Sequence, residues 1–178
     1  MTKTRFIPLL ALSAVLLTTG AQAGQVEISL VDNLDGYLDS YCLDIKGAGK
    51  DVDISQGLQV HTCYSYTGAL AKEQIFDALE FEYQMLYLPK FDVCVELSEL
   101  SVGADVALAT CNSTAEQKFT FSGSGTITAT VEPTLCLTAS LDTKLGGNGA
   151  SKQQIKGLTL ESCAADLARF QTWQANNK

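Results

Sequence analysis

An all-β domain made of three similar units and closed on itself is the fold class that this 178-residue chain predicts. Three observations carry it. Six cysteines fall into three pairs, each joining a Cys-apolar-x-apolar stretch to a later alternating stretch that ends in cysteine. Each pair is followed by a Gln-x-aromatic triplet: Gln74-Ile75-Phe76, Gln117-Lys118-Phe119 and Gln171-Thr172-Trp173. No window sustains the hydrophobic period of a helix, whereas several alternate with the period of two that a half-buried strand requires.

The chain opens on a segment of a different kind. Lys3 and Arg5 precede the apolar run FIPLLALSAVLL, followed by TTGAQA. That order describes a secretory signal peptide over residues 1–23, cut after Ala23. Its apolar run is short of the about 20 residues a membrane span needs, so membrane insertion is not expected. The expected location is secreted or periplasmic. Residues 24–178 then form one domain, long enough to bury roughly 70% of its unfolded surface. Removing two of the 12 Lys+Arg and none of the 20 Asp+Glu leaves that domain a formal charge of −10. With Arg169 as its one arginine it is poorly equipped to hold phosphates, which argues against nucleic acid as a partner.

VEISLV at 26–31 alternates cleanly and reads as the first strand. The units follow in order. The first has CLDI at 42–45, LQVHTC at 58–63 and QIF at 74–76; the second has CVEL at 94–97, VALATC at 106–111 and QKF at 117–119. The third has CLTA at 136–139, LTLESC at 158–163 and QTW at 171–173. The spacing between units varies from about 42 to 54 residues, which calls for a symmetric architecture with variable loops. If the two cysteines of a unit face each other on an antiparallel hairpin, Asp44 stands against His61 and Lys46 against Gln59 in the first. Leu43, Ile45, Leu58 and Val60 then share the inner face, as do Val95, Leu97, Val106 and Leu108 in the second and Leu137, Ala139, Leu158 and Leu160 in the third. A slip of one residue would expose all three apolar sets. This construction pairs Cys42 with Cys63, Cys94 with Cys111 and Cys136 with Cys163, one bridge per unit. Each bridge contributes about 3 kcal/mol on the chain-entropy estimate.

EYQMLYL at 82–88 and TITATVE at 126–132 supply a fourth strand to the first and second units. The third unit stops after QTWQ, and VEISLV fills its vacancy, for about 12 strands with no exposed sheet edge. ALAKEQIFDALEF at 69–81 is the one segment with a helical alternative; the repeat favours strand.

This pattern resembles the ricin B-chain type (Q-x-W) β-trefoil lectins over nearly all of residues 24–178. The resemblance implies a β-trefoil in which Phe76, Phe119 and Trp173 pack into a shared core. It also implies shallow sugar pockets, one per repeat. Each takes an Asp two residues after the first Cys, an aromatic two before the second, and an Asn just ahead of the Gln. Asp and Asn hold adjacent hydroxyls while the aromatic stacks on the C–H face of the sugar. Carried over, the first repeat has Asp44, with His61 in the aromatic place, Glu73 in the Asn place and a matching Gln74; Gln59 lies beside them. The second has Glu96, Ala109 and Glu116, and the third Thr138, Glu161 and Phe170, so these two read as scaffolding.

The expected function is therefore carbohydrate or glycoconjugate binding through Asp44, Gln59, His61, Glu73 and Gln74. The competing reading is a trefoil without sugar binding that engages a protein partner. On that reading Asp44 and His61 are an ordinary cross-strand surface pair, worth about 0.2–1 kcal/mol. Enzyme chemistry is not expected. Bridged thiols leave no cysteine nucleophile, and nothing positions Ser55 or Ser65 to complete a triad with Asp44 and His61. No cofactor or metal is implied. His61 is the lone histidine, the cysteines lack C-x-x-C spacing, and VDNLDG at 31–36 puts Val31 at the first ligand position of a calcium loop. GGNG at 146–149 lies outside a strand-to-helix context and reads as a turn in the longest insertion.

Overall fold

The computed structural model describes residues 24–47 and 49–177. The signal segment at 1–23 lies outside the described residues. The described residues form fifteen strand segments, eight short 3-10 turns and one four-residue helix, Ala168–Gln171, joined by turns and loops. The architecture is the three-repeat β-trefoil that the family resemblance implies, with the three units that the cysteine alignment predicts.

Each repeat is built on a two-stranded hairpin: Tyr41–Ile45 with Leu58–Thr62, Val93–Leu97 with Val106–Ala109, and Glu132–Ala139 with Leu158–Ser162. The inner faces are those expected from parity. Leu43, Ile45, Leu58 and Val60 are buried, with Val95, Leu97 and Val106, and with Leu137, Ala139, Leu158 and Leu160. Leu108 is half-buried against the same core.

The register differs from the expected one by two residues, identically in all three hairpins. Cys42 stands opposite His61, Cys94 opposite Ala109 and Cys136 opposite Glu161. Asp44 therefore faces Gln59, not His61. A slip of two keeps every side chain on its own face, which is why the apolar pattern could not distinguish the two registers. The bridges then join diagonal neighbours: Cys42–Cys63, Cys94–Cys111 and Cys136–Cys163, with Cα separations of 4.9, 5.0 and 5.1 Å. Separations of that size suit a disulfide.

The N-terminal strand, Gln25–Leu30, closes the structure. It pairs antiparallel with the last strand, Thr172–Asn176, with Leu30 opposite Trp173, and it meets Phe76 through Val26. Phe76, Phe119 and Trp173 are buried together in one core, and the Trp173 indole Nε1 donates to the Leu137 carbonyl at 3.1 Å. Where repeats meet, space is tight. Gly57 sits at φ 75°, and a Cβ there would lie 2.5 Å from the Val106 carbonyl.

Two expected strands are shorter than the alternation suggests. Residues 82–88 contribute only Tyr87–Leu88, because a 3-10 turn occupies Ala78–Tyr83. The 69–81 segment is neither one helix nor one strand: the 3-10 turn Lys72–Gln74 leads into Phe76–Asp77. Residues 126–132 are likewise divided between three strands. The insertion around GGNG is a hairpin, Lys144–Leu145 with Gln154–Lys156, rather than a bare turn. Its second strand continues the first repeat's sheet, Ile155 lying opposite His61. Buried Lys156 anchors it, its Nζ lying 3.1 Å from Asp35 Oδ1 and 5.1 Å from the Tyr41 ring centroid.

Candidate functional site

The three glutamines of the Gln-x-aromatic triplets do the same job in each repeat. In the first, Gln74 Oε1 accepts from the Tyr64 amide at 2.9 Å, while its Nε2 donates to the Thr62 carbonyl at 3.2 Å and to Asp44 Oδ2 at 2.9 Å. In the second, Gln117 Oε1 accepts from the Asn112 amide, and its Nε2 donates to the Thr110 carbonyl and to Glu96 Oε2. In the third, Gln171 Oε1 accepts from the Ala164 amide, and its Nε2 donates to the Ser162 carbonyl and to Thr138 Oγ1. Each glutamine thus ties the backbone on both sides of the second cysteine to the polar residue two after the first. All three are buried. A buried amide with each bond made stabilises the fold and costs heavily when one partner is lost.

The sequence-predicted residues of the first repeat come together around this clamp. Asp44 is 1% exposed; Gln59 Nε2 donates to its Oδ1 at 2.9 Å, opposite Gln74 on Oδ2. His61, Glu73 and Gln74 are buried, and Gln59 is the partly exposed member of the set. The surface-pair reading of Asp44 and His61 does not hold, because both are buried and their strand partners are Gln59 and Cys42.

One residue was missed. Tyr64 stacks on His61, ring centroids 5.0 Å apart at 25°. A signal for it existed: the residue after the second cysteine is Tyr64 here but Asn112 and Ala164 in the other repeats.

Burial controls the electrostatics. It raises the Asp44 carboxyl to about 8, against the Gln59 and Gln74 donors that favour the charge, and Glu73 nearby adds to the rise. Gln74 cannot reverse its amide without losing Tyr64 and Thr62, so it donates to Asp44 in either protonation state. Gln59 bonds only Asp44 among the described residues, so it can turn its carbonyl to accept a proton on Oδ1. Burial also lowers the His61 imidazole, which outweighs its Thr62 contact and Glu73. The neutral-range titration expected of an exposed histidine thus passes to Asp44. Tyr64 is pushed up to about 12 by burial and by the charges of Asp44 and Glu73, which places its hydroxyl in their field. Glu27 lies beside the Cys42–Cys63 bridge with donor atoms within 4.8 Å, but both sulfurs are held in the disulfide and offer no thiolate to a metal.

The family profile described as the ricin-type beta-trefoil lectin domain matches residues 85–178, more than half the chain. The chain belongs to the ricin-type β-trefoil lectin family. The matched segment spans the second and third repeats, so the Asp44 cluster lies outside it. No curated protein matches the chain. Among solved structures, a designed three-fold symmetric protein, ThreeFoil, aligns with TM-score 0.57 at 11% identity, over 87% of this lectin-family chain and 99% of its own. An earthworm lectin C-terminal domain mutant in complex with 6'-sialyllactose aligns with TM-score 0.55 at 14% identity, over 86% and 99%. The earthworm R-type lectin C-half in complex with GalNAc aligns with TM-score 0.53 at 13% identity, over 87% and 99%. At such identities these likenesses speak to the fold alone.

Proposed function

We propose that this lectin-family chain is a carbohydrate-binding protein rather than an enzyme, and that the first repeat holds its family-type site. The observation that supports it best is the meeting of Asp44, Gln59, His61, Glu73 and Gln74 in one cluster. The other two repeats put Ala109, Glu161 and Phe170 in family pocket positions. On this reading Tyr64 occupies the site in the free protein and swings off His61 when a sugar ring takes its place. Asp44 and Glu73 then meet the hydroxyls while His61 carries the C–H face. We also propose that the protein is secreted or periplasmic with 1–23 removed, a reading supported by the signal pattern and by three disulfides, which belong to oxidising compartments.

A second reading has a specific observation in its favour. Asp44 is almost fully enclosed with both oxygens engaged, as a purely structural clamp would be. The chain would then be a trefoil that binds a protein partner.

Titration of mono- and disaccharides followed by amide NMR separates the two. A single shallow site is expected to bind in the millimolar to high-micromolar range, roughly −4 to −6 kcal/mol. Asp44→Ala is expected to abolish binding and Glu96→Ala to preserve it. Tyr64→Ala is expected to tighten it by roughly 2- to 10-fold, the equivalent of the 0.5–1.5 kcal/mol a stacked pair is worth. Undiminished binding by a folded Asp44→Ala protein would remove the site from the first repeat.

A further inference from the structure

A cleft of about 600 Å³ opens beside the Cys94–Cys111 bridge, both of whose cysteines line it. Its size lies within the range of about 300–1,000 Å³ usual for small-ligand sites. None of Glu96, Ala109 or Glu116, the residues at the family's pocket positions in this repeat, lines it. Part of its wall, Tyr83, Met85 and Tyr87, comes from residues 82–88, which the repeat pattern assigned to one strand and which the structure divides between the end of a 3-10 turn and a short strand. That break brings Tyr83 and Tyr87 to one opening with Glu80 and Asp92, and Ser113, from the loop after Cys111, also lines it. Tyr83 is 65% exposed, whereas Met85, which also lines the cleft, is buried.

The polar groups are held in place. Tyr87 Oη donates to Asp92 Oδ1 at 3.0 Å, and Lys118 Nζ donates to the Tyr83 carbonyl at 2.8 Å, pinning the backbone that carries the tyrosine. The backbone is also constrained. Of the five non-glycine residues with positive φ among the described residues, two line this opening, Asp92 at 55° and Ser113 at 60°, and a third, Gln84 at 61°, lies in the chain between lining residues Tyr83 and Met85. Such conformations persist only where surrounding structure over-determines them, and they gather at ligand clamps.

We propose that this cleft is a second binding site, for a neutral oligosaccharide of two or more units. Two tyrosine rings suit the C–H faces of pyranose rings, and carboxylates suit a ligand rich in hydroxyl donors. Glu80 and Asp92 disfavour an anion, and the ammonium of Lys118 is already engaged by Tyr83. The proposal rests on the reading of the chain as a carbohydrate binder but not on the Asp44 cluster.

The test is amide NMR of the oxidised 24–178 protein titrated with lactose, cellobiose, maltose, chitobiose and the anionic 6'-sialyllactose. At least one neutral disaccharide is expected to shift the amides of Tyr83, Gln84, Tyr87, Asp92 and Ser113 saturably, and the sialylated sugar to shift them less. Tyr83→Ala and Asp92→Asn are expected to weaken that binding at least tenfold. Tyr83 is exposed and asparagine tolerates positive φ, so both variants keep the fold, which the rest of the spectrum verifies. Shifts confined to the Asp44 cluster would overturn the second site and leave the first. Shifts confined to the cleft would do the reverse. Absence of any shift with every probe, or binding undiminished in Tyr83→Ala, would overturn the proposal.

Discussion

Replacing Trp173 by alanine is expected to destabilise the oxidised domain by about 3–5 kcal/mol. The side chain is completely buried, it lies in the strand that pairs with the N-terminal strand to close the trefoil, and its indole satisfies the Leu137 carbonyl. Alanine removes the ring, leaves a cavity and orphans that carbonyl. Domains are stable by about 5–15 kcal/mol in total, so the variant sits close to unfolding at room temperature. Trp173→Phe separates these contributions. Phe76 and Phe119 fill the equivalent places in the other repeats, so phenylalanine fits the pattern and the loss is mainly the hydrogen bond, about 1–3 kcal/mol. Urea unfolding monitored by circular dichroism gives both numbers. A Trp173→Ala protein within about 1 kcal/mol of wild type would contradict the place of this ring in the core.

Asp44→Asn is expected to stabilise the protein increasingly as pH rises from about 4 to 8. The sign follows from the direction of the shift. In the folded protein Asp44 stays protonated up to about 8, whereas in the unfolded chain it ionises near its ordinary value of 3.8. Between those values the unfolded state has released a proton that the folded state retains, so stability from this group is complete below about 4 and is lost by about 8. The loss at the upper end is on the order of 5 kcal/mol. Asparagine reproduces the neutral acid: its amide donates to a turned Gln59 and its carbonyl oxygen accepts from Gln74. Urea midpoints of the two proteins at pH 4, 6 and 8 measure the effect. A difference that does not change with pH would mean that Asp44 is ionised in the fold.

The three-fold plan was legible because cysteines, glutamines and alternating leucines and valines repeat in step, and each has one physical reason to be there. The disulfide partners and the inner faces follow from that pattern. The hairpin register does not, because Cys42 opposite Cys63 and Cys42 opposite His61 differ by two residues and leave the apolar faces unchanged. The segment 78–88 was misread because Phe81 and Leu86 reach the core from a turn as readily as from a strand. The burial of the Asp44 cluster was out of reach for a different reason. It depends on Tyr64 lying on His61 and on the insertion of the third repeat extending the sheet of the first, contacts between parts of the chain with no shared pattern. The cleft beside Cys94–Cys111 was hidden in the same way, since it exists only where the repeat is broken.

The central claim, that this trefoil binds carbohydrate, is tested most directly by presenting the oxidised 24–178 protein to an array of glycans as a multivalent conjugate. Multivalency raises a weak single-site affinity to a measurable avidity without any new contact. The expected result is retention on a subset of glycans, competed away by the free sugar and lost on reduction of the disulfides. Retention of neither wild type nor Tyr64→Ala on any glycan would contradict the claim.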